Sequence, residues 1–179
     1  MIDLQKKEIR SKIKELKKKY SFEDKKARSI KIFEKIESLP EFIQAKTVMA
    51  YWSMDDEVNT HDFILKWFGK KQFVLPSVKG DELELRIFKG TKNMLEGSAF
   101  GISEPIDLFT DNLDSIDFIV VPGVAFDNQK NRLGRGKAYY DKLLKDTKAF
   151  KVGVCFEFQL LDSVPVNSFD IKMDLVVTD

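Results

Sequence analysis

Residues Val121–Leu144 read VPGVAFDNQKNRLGRGKAYYDKLL, and this stretch sets the fold class. An apolar run ends at Val121, the chain turns through Pro122 and Gly123, and a polar loop follows. Arg132-Leu133-Gly134-Arg135-Gly136-Lys137 then leads into a helix expected over about 137–145. Strand, glycine-rich basic loop and helix form an arrangement suited to an anion. Small residues let backbone N–H groups approach phosphate oxygens, and the helix N-terminus adds partial positive charge. Arg132, Arg135 and Lys137 supply full charges, and an arginine can grip two phosphate oxygens at once. Asp141 lies four residues after Lys137, one helical turn on. A carboxylate beside a bound phosphate is a natural Mg²⁺ ligand. Gly134 and Gly136 make only a short Gly-x-Gly, with neither a dinucleotide fingerprint nor a P-loop ending in Gly-Lys-Ser/Thr. By itself the loop reads equally as a phosphate cradle or as a plain basic turn.

The 179 residues suit one domain, 1–179, with one buried core. Hydrophobic residues at 43% and charged residues at 33% are the balance of a soluble globular chain. A net charge of +1 gives no general affinity for nucleic acid or for an anionic membrane. The single cysteine, Cys155, cannot form an internal disulfide, which fits a reducing compartment. No apolar run approaches the roughly 20 residues of a membrane span. The first ten residues, MIDLQKKEIR, lack an apolar signal core and include acids. A cytoplasmic location is expected. Alternating exposed charge predicts a monomer.

Residues 2–19 read as a helix with Ile9, Ile13, Leu16 and Tyr20 on one face. Through residue 35 there are 13 Lys/Arg against 6 Asp/Glu, so this end carries about +7. Lys6, Arg10 and Lys14 form an i, i+4 stripe. It reads as a solvated face, or as a cationic strip leaning over a phosphate site. Ser21-Phe22-Glu23-Asp24 resembles a capping box. It should open a second helix through about Leu39, with Ala27, Ile30, Phe33 and Ile36 inward and Pro40 closing it. Strands are expected at 46–53, at 72–75 (stopped by Pro76) and at 83–87, the last half-exposed and antiparallel. Thr60 should cap a short helix that Gly69 ends. Residues 89–112 read as irregular, 117–121 as a central strand, and 151–156 and 173–177 as two more buried strands. Alternating strands and helices predict an α/β sheet covered on both faces. Ligands of such sheets collect beyond the carboxyl ends of the strands. Glu57, the PGVAFD loop, Glu157 and the tail of the last strand are therefore expected on one rim.

Several residues have an ordinary reading beside a functional one. His61, the only histidine, reads as a surface residue rather than a base, and no second histidine exists for a multi-histidine metal site. Cys155 reads as a core thiol, with a nucleophile paired to His61 as the weaker alternative. Tyr51 and Trp52 end a strand, where they can pack in the core or stack on a flat ring. Of Tyr139 and Tyr140, one is expected in the core and the other facing the loop. Asp55, Asp56 and Glu57 read as solvated, although one of them on the rim could accept hydrogen bonds from an amino-heterocycle.

The ordered set of a basic N-terminal helix with Lys6 and Arg10, YWSMDDEVNT, FGISEP, PGVAFD, NRLGRGKAYYD and VPVNSFDIKMD resembles the 5-formyltetrahydrofolate cyclo-ligase (methenyltetrahydrofolate synthetase) family. The resemblance covers most of the chain. It implies a three-layer α/β sandwich with a mostly parallel central sheet, related to the NagB/RpiA/CoA-transferase group. It also implies a reaction: 5-formyltetrahydrofolate, whether or not polyglutamylated, and ATP give 5,10-methenyltetrahydrofolate, ADP and phosphate, with Mg²⁺ as cofactor. By motif position, Lys6, Arg10 and the run Arg132, Leu133, Gly134, Arg135, Gly136, Lys137, Ala138, Tyr139 and Tyr140 resemble the ATP-binding set. Asp141 and Asp170 look like the Mg²⁺ ligands. Trp52 and Glu57 match folate-contacting positions, with Arg135 to Tyr139 as a wall shared between nucleotide and formyl group. Arg135, Lys137 and Tyr139 are the expected catalytic residues. Ala138 departs from the resemblance, because the family commonly has Gly there. The competing readings are a non-catalytic nucleotide or folate binder and a CoA-transferase-like or sugar-phosphate enzyme. The joint presence of both expected metal-site acids and the basic loop weighs against both.

Overall fold

The strand that was expected to be central is so because Phe118-Ile119-Val120-Val121 has no polar side chain to present to water on either face. In the computed structural model, which describes residues 1–97 and 101–179, all four are fully buried. Residues 98–100, including Phe100 at the start of the FGISEP motif, lie outside the described residues. The helices are α1 (Ile2–Lys17), α2 (Phe22–Glu37), α3 (Pro40–Gln44), α4 (His61–Trp67) and α5 (Tyr139–Leu144). The strands are β1 (Thr47–Met49), β2 (Gln72–Lys79), β3 (Glu82–Ile87), β4 (Met94–Glu96), β5 (Ser103–Pro105) and β6 (Phe118–Pro122). They continue with β7 (Ala125–Asp127), β8 (Arg132–Leu133), β9 (Phe150–Val154), β10 (Leu160–Leu161) and β11 (Leu175–Val177). Six of them form one sheet in the order β11-β9-β6-β1-β2-β3, parallel except for the β2–β3 pair. This is the expected α/β class with a mostly parallel central sheet.

Two-residue periodicity splits the sheet's side chains between two cores. Val48, Phe118 and Val120 face Ile32, Phe33 and Ile36 of α2, Phe42 of α3 and Phe63 of α4. Met49, Ile119 and Val121 face Phe126 of β7 and Leu144 of α5. A small sheet, β10-β7-β8, belongs to this second side. Helix α1 lies on it, with Ile13 packed against Ala125, Leu133 and Val164.

Several local expectations are corrected. Helix α2 does open on a reciprocal capping box between Ser21 and Asp24. Its inward face is Ser29, Ile32, Phe33 and Ile36, whereas Ala27 and Ile30 are exposed. Pro40 does not close α2 but starts α3, where its missing N–H costs nothing. Pro76 does not stop β2. Phe88 N–H donates to Phe73 O on the β3 side, so by alternation the nitrogen of residue 76 faces β1, which has already ended at Met49. The helix expected from residue 137 begins only at Tyr139, because Ala138 is left-handed. Between the central strand and the glycine loop the chain inserts the β7–β8 hairpin.

That hairpin is held by a buried carboxylate. Asp127 accepts from the N–H groups of Gln129, Asn131 and Val164 and from Asn131 Nδ2, each at 2.9 Å. Burial opposes its charge, but these donors outweigh it and hold the carboxyl below its ordinary value of 3.8. Asp127→Asn removes one acceptor and should cost about 2 kcal/mol in urea unfolding at pH 7. A folded carboxyl titrating below its unfolded value adds stability that is present at neutral pH. The wild-type chain should lose that contribution as pH falls below 3.8 towards the lower folded value. The Asn variant should show a shallower acid limb.

Candidate active site

All of the residues singled out from the sequence as ligand or catalytic positions line one cavity of about 430 Å³. It opens beyond the carboxyl ends of β1 and β6, against the α1 helix. Its walls divide by chemistry. One half is apolar and aromatic, formed by Tyr51, Trp52, Met54, Pro76, Val78 and Leu83. The other is charged, formed by Lys6 and Arg10 of α1, the 132–138 loop, Asp141 and Asp170. Glu157 and the end of the chain do not line it. Glu157 N–H donates to Asp179, which pairs with Arg28 of α2 at 2.5 Å.

The apolar half is built by the segment after β1. Thr60 Oγ1 donates to Tyr51 O and accepts from Ser53 N–H, while Tyr51 Oη donates to Val58 O at 2.8 Å. Thr60 thus spends its hydroxyl on the 51–60 loop and not on capping α4. This clamp places half-buried Trp52 with one face on His61, ring centroids 3.9 Å apart. His61 backs Trp52 and is not on the cavity wall; burial pulls its pKa down despite a contact with Ser53 O. Cys155 is fully buried, and burial pushes its thiol up to about 12, so it is an inert core residue.

On the charged half, most cations are anchored. Lys6 Nζ pairs with Asp170 at 2.5 Å. Arg10 Nε donates to Gly134 O at 2.9 Å, and its guanidinium lies over Gly136, which has φ +104°. A side chain at 136 would meet both an unfavourable backbone and Arg10. Arg132 is buried and donates to Asp141 Oδ2 at 2.7 Å and to Pro122 O at 3.2 Å. The sequence suggested that Asp141 would meet Lys137 across a helical turn. Lys137 lies outside the helix, and the partner of Asp141 is Arg132 instead. Lys137 is exposed and has no carboxylate partner among the described residues. Both tyrosines line the cavity. Tyr140 also packs into the second core, while half-buried Tyr139 reaches Gly80 O at 3.3 Å.

Lys17 and Asp56 were missed as site residues. Lys17 Nζ lies 3.3 Å from Asp56, and Asp56 and Glu57 both hold Arg135, at 3.0 and 3.2 Å. Burial opposes the charge of Asp56, but Lys17 and Arg135 outweigh it and keep the carboxyl low. The signal for Lys17 was present. At 3.6 residues per turn, Lys17 lies about 20° around α1 from Lys6, whereas Lys14 lies about 80° away. The inward face is therefore 6, 10, 13 and 17, and Lys14 is exposed.

Among the described residues no group of three His, Cys, Asp or Glu side chains could hold a metal. Asp141 and Asp170 are nonetheless joined: Ile171 N–H, next to Asp170, donates to Asp141 Oδ1 at 3.3 Å. Each has one oxygen on a cation, Arg132 or Lys6. Two such carboxylates fit Mg²⁺ carried in on phosphate oxygens, since Mg²⁺ keeps waters and needs few protein ligands. They do not form a cage for a permanently resident ion.

Residues 3–179 match the model of the 5-formyltetrahydrofolate cyclo-ligase family. A probable 5-formyltetrahydrofolate cyclo-ligase of Schizosaccharomyces pombe is 34% identical over 85% of this chain and 84% of that protein. The 5,10-methenyltetrahydrofolate synthetase of Aquifex aeolicus has a solved structure similar at TM-score 0.86 and 39% identity, over 97% of this chain and 89% of that one. The synthetase of Mycoplasma pneumoniae is similar at TM-score 0.77 and 25% identity, over 96% and 97%.

Ala138 sits at φ 55°, ψ 17°, in the left-handed region. A non-glycine residue there costs about 1–2 kcal/mol, partly offset by the greater unfolded-state freedom of glycine. Ala138→Gly should therefore stabilise the chain by about 0.5 kcal/mol in thermal unfolding, whereas Ala138→Val should destabilise it.

Proposed function

This chain belongs to the 5-formyltetrahydrofolate cyclo-ligase family, and from that premise we propose that its cavity phosphorylates the formyl oxygen of 5-formyltetrahydrofolate with ATP and closes the ring to 5,10-methenyltetrahydrofolate. The observation that carries the reading is the meeting of the two halves at Arg135. The aromatic half suits a flat pteridine, with Trp52 as its face and Glu57 accepting from ring N–H groups. The cationic half suits a triphosphate. A volume of about 430 Å³ is that of a site for one mid-sized ligand, so it takes the reacting ends of both substrates and leaves the rest outside.

An amide-like formyl oxygen is a poor leaving group, and phosphorylation converts it into a good one. The oxygen attacks the γ-phosphorus and ADP departs. N10 then attacks the formyl carbon, phosphate leaves with the formyl oxygen, and the N10 proton is lost. The protein's share is positioning and charge stabilisation. Lys6 and Arg10 hold the nucleotide end, and the backbone of 134–136 lies along the phosphates. Arg135 and Lys137 follow the charge on the transferred group, and Tyr139 screens the formyl group from water. Asp141 and Asp170 would hold Mg²⁺, which neutralises phosphate charge when bound. No His or Cys is needed for any step.

The overall activity is tested by near-ultraviolet absorbance of the methenyl product with ATP, Mg²⁺ and 5-formyltetrahydrofolate. The path is tested with heavy oxygen in the formyl group. Direct attack on phosphorus delivers one label per turnover into inorganic phosphate, and unlabelled phosphate from active enzyme would rule the path out. Arg135→Ala should slow turnover by about 10²–10³-fold, as for the loss of one preorganised donor.

Asp141→Ala would confuse loss of metal with loss of fold, because it leaves a buried arginine unpaired at about 3–5 kcal/mol. Asp141→Asn keeps an acceptor for Arg132. It should raise the Mg²⁺ concentration for half-maximal rate while shifting the melting temperature little. An unchanged Mg²⁺ titration would remove Asp141 from the metal site.

A further inference from the structure

The grip on Arg135 has an inner support. Arg135 Nη2 is held by Asp56 Oδ1 and Glu57 Oε1, and each acid has a second partner. Asp56 Oδ2 accepts from Lys17 Nζ at 3.3 Å, and Glu57 Oε2 accepts from Met54 N–H at 3.0 Å. The Lys17 side chain is only 9% exposed, while those of Asp56 and Arg135 are 46% and 48% exposed. Two acids and two cations thus form a chain with a fixed, buried end on α1 and an open end in the cavity. Arg135 is the member able to leave. Its departure strips neither acid of its last partner, because Asp56 keeps Lys17 and Glu57 keeps Met54 N–H.

We propose that Lys17 and Asp56 are positioning residues that park Arg135 beside Glu57, so that a pteridine arriving on Glu57 releases Arg135 to the phosphates and couples the binding of the two substrates. The inference rests on the function proposed above. Ring N–H donors compete with Arg135 for Glu57. Arg135 is then left with one acid, which Lys17 already shares, and phosphate oxygens become its better partner. Lys17 sets how firmly Asp56 holds on. Without that cation, Asp56 is an uncompensated carboxylate and keeps Arg135 away from the nucleotide. Linkage makes the coupling reciprocal: each substrate must tighten the other by the same factor.

Calorimetric titration of the full chain with Mg²⁺ and a non-hydrolysable β,γ-imido analogue of ATP tests this, with and without saturating 5-formyltetrahydrofolate. The analogue should bind about tenfold tighter with folate present, within the usual range of coupling between sites. Asp56→Asn keeps an acceptor for Lys17 but loosens the hold on Arg135. It should tighten the analogue in the absence of folate and reduce the coupling to about twofold or less. Lys17→Met should raise the KM for ATP more than that for folate, and Lys17→Arg should restore it. Independent binding of the two ligands to active enzyme, or weaker analogue binding by Asp56→Asn, overturns the proposal. Should Lys17→Met not fold, the Asp56→Asn titration decides alone. Failure of 5-formyltetrahydrofolate to bind at all would instead remove the proposed function.

Discussion

The ring of Phe126 stands between two glycines, and the site's position follows from that. A Cβ on Gly123 would lie 2.5 Å from the ring, and one on Gly153 of β9 would also strike it. Only a bare backbone at both places lets the β7–β8 hairpin close down on the central sheet. The hairpin turns the chain back over the strand ends and releases it at Gly134, directly above the cavity. Asp127 secures the turn from beneath, and Ile13 of α1 packs on its outer side. The glycine loop is therefore aimed by close packing, and the short α5 helix contributes little to its direction.

Much of this was legible in the sequence. The apolar 118–121 run, the alternation at 83–87 and the capping box at Ser21 each depend on local periodicity or local hydrogen bonds, and each formed as expected. What was not legible depends on contacts distant in sequence. Pro76 is harmless only because β1 ends one residue short of needing its N–H. Asp141 turned from Lys137 to Arg132 because Ala138 breaks the helix that would have paired them. The inward face of α1 could be read as 6-10-14 or 6-10-13-17. Helical geometry and the apolar face through Ile13 already favoured the second, and the contact of Ile13 with the hairpin bears it out. Asp56 looked like one of three solvated acids, and its role appears only once α1 brings Lys17 across 39 residues to meet it.

Helix α1 illustrates how one element serves both stability and chemistry. Its C-terminal end is fixed by apolar contact, with Ile13 in the third core and Tyr20, just beyond the helix, stacked on Phe158 at 4.7 Å. Its N-terminal half is held differently, by Lys6 on Asp170 and Arg10 on Gly134. Those partners are themselves cavity residues. The part of α1 nearest the proposed triphosphate is thus tied to the core partly through the groups that would contact it, beside the apolar contact of Ile9. Bound phosphate would add further partners for the same cations and draw that half of the helix more firmly onto the site.

The cations of the cavity fall into two sets by how they are held. Lys6, Arg10 and Arg132 each have a protein acceptor and are at least partly buried, so they shape the floor of the site, while Lys17 stands behind its wall on Asp56. Lys137 is exposed without a carboxylate partner among the described residues, and Arg135 is held at the exposed end of its chain. Charge in phosphoryl transfer moves outward, from the nucleotide to the transferred group and then to the departing phosphate. A floor of fixed charges cannot follow that movement. Lys137, and Arg135 once it leaves Asp56 and Glu57, would be free to do so under the proposed function. Under the proposed function, the division between them would separate the task of preserving the fold beneath the phosphates from that of tracking the reaction above it.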